Sequence, residues 1–209
     1  MNKYGSRASG LQVFIAVFLG VVLVGFIAWQ IIINYEGKNY EPGIQAPDDP
    51  IQGRVTNEVS FQRDEFTIIP MATFKIKGRV LSKKRYYLGQ ESELSPYDLA
   101  MGWGRMSDVS ILDKIKIQQF GRWYTWRTKD FPIPRREIES CSANMHIIPA
   151  NREIKKALRK AGKWDLVQFK GYLVKVIGDN FRWKSSLSRY DKGDHACEVV
   201  WVEDFQIIK

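Results

Sequence analysis

Histidine and cysteine are scarce in this chain: two of each among 209 residues. So small a set allows one disulfide or one four-ligand metal site and nothing larger. Also missing are a Gly-x-Ser-x-Gly elbow, a phosphate loop, a His-Glu-x-x-His helix and a dinucleotide fingerprint. Their absence argues against the common hydrolase, nucleotide-binding, zinc-protease and dehydrogenase classes, and no cofactor is implied. Internal repeats and low-complexity tracts are lacking too. Acids are outnumbered, with 23 Asp and Glu against 32 Lys and Arg, a formal net charge of +9.

Charge vanishes altogether from Leu11 to Ile33, "LQVFIAVFLGVVLVGFIAWQIII". A helix of that length crosses a hydrocarbon core of about 30 Å. Gln12 and Gln30 fall near its ends, and Trp29 and Tyr35 sit where an interfacial aromatic belt belongs. The apolar run exceeds the roughly 7–15 residues of a secretory signal, and "WQIIINYEGKNY" offers no small-x-small cleavage site. The expectation is an uncleaved transmembrane anchor over 11–33. Lys3 and Arg7 precede it with no acid, whereas Glu36, Glu41, Asp48 and Asp49 follow with only Lys38 among them. By the positive-inside rule residues 1–10 are cytoplasmic and the remainder is periplasmic or extracellular, the anchor lying in a bacterial inner membrane. Setting aside Lys3 and Arg7 leaves +7 on residues 34–209. That excess suits anionic lipid, an envelope polymer or an acidic protein partner, and the compartment makes nucleic acid the weakest candidate.

Residues 34–59, with Pro42, Pro47, Pro50 and three glycines, read as a linker. Residues 60–209 read as one β-rich domain. "ATFKIKGRVLS" alternates Phe74, Ile76 and Val80 against Lys75, Lys77 and Arg79, a half-buried strand with a cationic outer face. "KIKIQQFGRWYTWRT" reads as one long strand bent at Gly121. Residues 165–187 read as a hairpin turning at Gly178-Asp179-Asn180, and "CEVVWVEDFQII" as the last strand. Short helices are expected from Ser95 to Met101 and after Ser107, and a longer one from Asn151 to a left-handed cap at Gly162. The fold class is therefore α+β: an N-terminal transmembrane helix, then a small curled sheet or barrel with a few short helices. The run Lys163 to Val174, with Gly171 permitting coiling, resembles the strands of OB-like barrels.

"Ser142-Ala143-Asn144-Met145-His146", "Ser185-Ser186-Leu187-Ser188-Arg189" and "Ala196-Cys197-Glu198" resemble a pattern in bacterial single-pass membrane-anchored proteins of unassigned function. The likeness covers the C-terminal half and implies a bacterial origin but no activity.

Four candidate sites remain. Cys141 and Cys197 lie in an oxidising compartment, where two cysteines often pair; the bridge would close a loop of about 57 residues, worth roughly 4 kcal/mol. Alternatively Cys197 is a nucleophile with His146 or His195 as base. An anchored barrel with histidine before cysteine resembles the sortase-like transpeptidases. The chain lacks their Thr-Leu-x-Thr, however, and has no arginine after Arg189. Cys141, His146, His195 and Cys197 form a third set, a Cys₂His₂ metal site with unusual spacing. The fourth is a docking surface: the cationic residues Arg152, Lys155, Lys156, Arg159 and Lys160 on one helix, and Trp103 on the turn "MGWGRM". "SSLSRYDKGDH" reads as a polar loop, and His195-Ala-Cys197 as a structural entry into the last strand.

Overall fold

The computed structural model describes residues 10–36, 40–56, 59–188 and 197–208. The chain divides into two compact units, Met1–Glu41 and Pro42–Lys209. In the first, helix α1 runs Gly10–Glu36. Its window Gln12–Trp29 has mean hydropathy 2.5 and no buried residue, a length and composition compatible with a single-pass membrane anchor.

The second unit is β-rich. Strands β1 (Ile51–Gly53), β2 (Phe61–Arg63), β3 (Phe66–Arg85) and β4 (Tyr97–Gly102) come first, with helix α2 (Gln90–Leu94) between the last two. A 3-10 turn at Gly104–Ser107 leads to α3 (Val109–Leu112), then strands β5 (Lys116–Phe120) and β6 (Trp123–Arg127) and helix α4 (Arg135–Ser140). Strand β7 (Ser142–Pro149), helix α5 (Arg152–Lys160) and strands β8 (Leu166–Gly178), β9 (Phe181–Lys184) and β10 (Glu198–Ile208) complete it.

Eight strands form one sheet in the order β1-β3-β4-β7-β10-β8-β9, with β2 on β3, while β5 and β6 pair only with each other. The 20-residue β3 also pairs with β8, from Thr67↔Ile177 to Arg79↔Leu166, so the pairings run from β3 through β4, β7, β10 and β8 back to β3. All are antiparallel except β7 with β10. Between Pro70 and Ala72 the register against β8 shifts, which suits a proline that has no N–H for the ladder. At Gly171 a Cβ would stand 1.9 Å from the Trp201 carbonyl oxygen, so only glycine allows β8 and β10 to approach there.

Three apolar clusters follow from this arrangement. On one sheet face Phe74, Leu99, Met145, Phe169 and Val200 pack with Ile154 and Leu158 of α5. Phe66, Ile148, Val176, Val199 and Trp201 form a second. In the third, Leu81 and Ala100 meet Met106, Leu112, Ile115 and Ile138 from the segment between β4 and β7. Strand β4 is consequently buried at all six positions.

Several expectations are corrected. Tyr97–Gly102 is a strand, not a helix, because β3 and β7 flank it and both its faces are covered. The 114–128 stretch folds back on itself at Gly121 and Arg122, both at positive φ, and is a hairpin rather than one bent strand. Arg79, assigned to the cationic outer face, is buried; its Nε donates to the Ser107 carbonyl at 2.6 Å and its Nη1 to that of Trp164 at 2.7 Å. Helix α5 begins as expected at Asn151, whose side chain accepts from Ile154 N. It ends at Ala161 in an extended conformation, not at a left-handed Gly162. Lys83 explains the difference: its Nζ donates to the carbonyls of Leu158, Arg159 and Ala161 at 2.6, 3.0 and 2.6 Å, taking up the acceptors a glycine cap would otherwise satisfy. Burial pushes the Lys83 ammonium down to about 8, with Asp165 opposing and Arg85 adding to the shift.

Candidate functional site: a buried polar cluster

The register of β4 on β7 sets Asp98 beside His146 and Ala100 beside Asn144. The β5–β6 hairpin lies over this face. Arg122, at φ 70 in its turn, reaches down into it. Its Nη1 donates to Asp98 Oδ1 at 2.7 Å and to the Ser95 carbonyl at 2.9 Å. The guanidinium lies 4.0 Å from the Tyr86 ring centre and 5.6 Å from that of Trp183. The backbone of Arg122 is engaged as well: its N–H donates to Tyr86 Oη at 3.0 Å and its carbonyl accepts from Asn144 Nδ2 at 3.0 Å. Gln119 Nε2 donates to Asn144 Oδ1 at 2.7 Å, and the Tyr124 and Ser142 hydroxyls meet at 3.0 Å. Burial pushes the Tyr124 phenol up to about 12, the Ser142 contact opposing.

Asp98 is completely buried, so its charge has to be matched at close range. Arg122 supplies the match. His146 Nδ1 lies 3.0 Å from the same oxygen without hydrogen-bond geometry, and the imidazole packs 4.7 Å from Trp183. Asp98 Oδ2 makes no hydrogen bond among the described residues. An aspartate against a histidine is the orienting half of a nucleophilic triad. Here, though, the aspartate is chiefly bound to arginine, and the assembly fastens a hairpin to a sheet.

The two cysteines stand apart. The parallel pairing of Glu198 with Met145 puts Cys197 level with Asn144, whose Nδ2 is 3.9 Å from its Sγ. Cys141 lies three residues back along the chain, about 10 Å in extended backbone, beyond the roughly 7 Å that a disulfide tolerates between α-carbons. No bridge joins them. Cys141 caps the end of α4, and burial pushes its thiol up, away from thiolate character. Of the four-ligand metal set, His195 lies outside the described residues, and among those described no three His, Cys, Asp or Glu are grouped to hold a metal.

Arg152, Lys155, Lys156, Arg159 and Lys160 are all exposed on α5, while Ile154 and Leu158 face inward. Trp103 is corrected from an exposed anchor to a buried residue. Its Nε1 donates to Asp49 Oδ1 at 2.9 Å. Next to it Gly104 N donates to the Ala46 carbonyl, Ser107 Oγ accepts from Gln45 N and Ala46 N, and Asp108 Oδ1 accepts from Gly43 N. The "GWGRMSD" turn therefore binds residues 43–49, inside the stretch read as linker.

Sequence reasoning did not single out Asp98, Arg122, Asn144 or Trp183. The available signals were an aspartate within the apolar "YDLAMG" and an arginine directly after a turn glycine. No family model matches the chain, and neither a curated protein nor a solved structure matches it.

Proposed function

We propose that the chain is a single-pass protein of a bacterial inner membrane, with a cytoplasmic N-terminus. Its β-rich unit, on the periplasmic or outer side, is a non-enzymatic binding or scaffold module of an envelope assembly. The observation that carries this reading is the use made of the polar residues on the β4–β7 face. Asp98, Arg122 and Asn144, which could have served chemistry, are spent holding the β5–β6 hairpin in place. Lys3 and Arg7 ahead of the apolar helix support the orientation.

The finer fold reading is an OB-like barrel. Its support is the circuit of strand pairings, the single parallel pair, and a helix between β7 and β8. In barrels of that class the strand 2–3 face takes oligonucleotides or oligosaccharides. In this chain the β5–β6 hairpin lies over the corresponding β4–β7 face through Gln119 and Arg122, and Met106, Leu112 and Ile138 pack on Ala100 beside it, which favours a protein or lipid partner over nucleic acid. The exposed cations of α5 suit an acidic protein, an anionic lipid or an envelope polymer, each contributing about 1 kcal/mol near an anionic surface.

Crosslinking of the full chain in native membranes, followed by purification, tests the proposal. A stable complex with envelope proteins is the expected result, and recovery of monomer alone overturns it. Rapid alkylation of the folded chain, abolished by Cys197→Ala, would instead favour an extracytoplasmic cysteine transpeptidase or hydrolase.

A further inference from the structure

The β5–β6 turn and the loop after β3 adjoin, through the bond from Arg122 N to Tyr86 Oη. Around this joint the structure leaves large apolar side chains in solvent: Leu88 is 91% exposed, Phe120 85%, Tyr87 73% and Trp123 46%. Side chains so exposed protrude from the surface. A contiguous exposed apolar group marks a protein or membrane interaction site, and the cations beside this one suit an anionic leaflet. The composition is that of the membrane interface, where aromatic residues with a polar edge are enriched and cations contact headgroups. Lys84 and Arg85 are exposed beside the tips, and the Arg85 guanidinium stacks 4.5 Å from the Tyr87 ring. Glu91 and Glu93 on α2 are the nearby acids in sequence, and Glu91 is turned 3.8 Å from Arg122 Nε.

We propose that these two tips form a second membrane contact, in which Leu88 and Phe120 enter the acyl boundary of a phospholipid leaflet while Tyr87, Trp123, Lys84 and Arg85 stay at headgroup level. The inference rests on the membrane-anchor reading of α1 and names a surface that reading does not require. Arg122 prepares the site: its bonds to Asp98, Ser95, Tyr86 and Asn144 fix the hairpin turn before any lipid arrives, so insertion costs little ordering of the chain.

Site-specific photocrosslinking of the full chain is the test. p-Benzoylphenylalanine is placed singly at position 88, 120, 156 or 29, and the protein is reconstituted in vesicles of phosphatidylethanolamine with phosphatidylglycerol. Adducts of phospholipid mass are expected at positions 88, 120 and 29, and none at 156 on the solvent face of α5. Lipid adducts at 29 but not at 88 or 120 overturn the second contact and leave the anchor standing, as does a protein adduct at 120 in cell membranes without a lipid one. Absence of lipid adducts at 29 removes the anchor reading, and this inference with it.

Discussion

Arg122 Nη1 stands 2.7 Å from Asp98 Oδ1, joining the turn of the β5–β6 hairpin to a fully buried position in β4. Replacing the arginine leaves a carboxylate in the interior with the His146 and Tyr86 side chains beside it and no cation in place of the guanidinium. Breaking such a pair from one side typically costs about 3–5 kcal/mol. Arg122→Met should therefore lower the stability of the chain by about 3 kcal/mol in urea unfolding, and adding Asp98→Asn should restore part of it. Strictly additive losses would show that the two side chains are not coupled.

Trp103 Nε1 and Asp49 Oδ1 make a partly buried bond across 54 residues of sequence. Asp49→Ala should cost about 1.5 kcal/mol, the low end for a hydrogen bond to a charged group. Ser107→Ala should cost more, since it strands the N–H groups of Gln45 and Ala46, each worth about 1–3 kcal/mol when buried without a partner. Limited proteolysis of both variants should show faster cleavage between residues 43 and 49 than in the parent chain.

The Lys83 ammonium titrates near 8 in the folded chain against an ordinary value of 10.5. Between those values the unfolded chain carries a proton that the folded chain has released, so this group makes stability rise with pH across that window. Thermal melts at pH 8 and pH 10, in the parent and in Lys83→Met, isolate the contribution. The parent should gain stability relative to the variant as pH increases. An equal response of both proteins would contradict the assignment.

Gly171 of β8 meets the Trp201 carbonyl of β10, with no room between them for a Cβ. Gly171→Ala forces two strand backbones apart and should cost about 3 kcal/mol or more. Loss of the cooperative melt is the measurement; an unchanged melting temperature would mean that the strands separate without penalty.

The parts of the fold legible in the sequence are those with one buried face. Helix α5 showed its capping asparagine and narrow apolar stripe, and β8 and β9 their alternation, whereas β10 is buried on both faces from Glu198 to Val202 and is marked by its run of valines and Trp201 instead. Strands β4 and β7 are covered on both faces, so alternation is lost and "YDLAMG" after Ser95-Pro96 imitates a capped helix. The polar cluster was illegible for another reason. Arg122 meets Asp98 across 24 residues and Asn144 across 22, and only the β4–β7 register, together with the hairpin laid over it, brings the three together. Trp103 misled because flanking glycines suggest an open turn, whereas here a close approach requires one of them: a Cβ on Gly102 would meet the Met106 carbonyl oxygen at 2.3 Å.

The short strands ahead of β3 serve it as edge guards. Where β4 does not reach, Ile51–Gly53 pairs with Thr73–Lys75 and Phe61–Arg63 with Phe66–Ile68. A soluble fragment begun at residue 60 would keep the second guard and lose the first, together with the segment seated on Trp103, Ser107 and Asp108. Its bare ladder of backbone donors and acceptors would recruit a neighbouring molecule, and such a preparation should self-associate. Cutting at Pro42, the boundary of the compact unit, spares that edge.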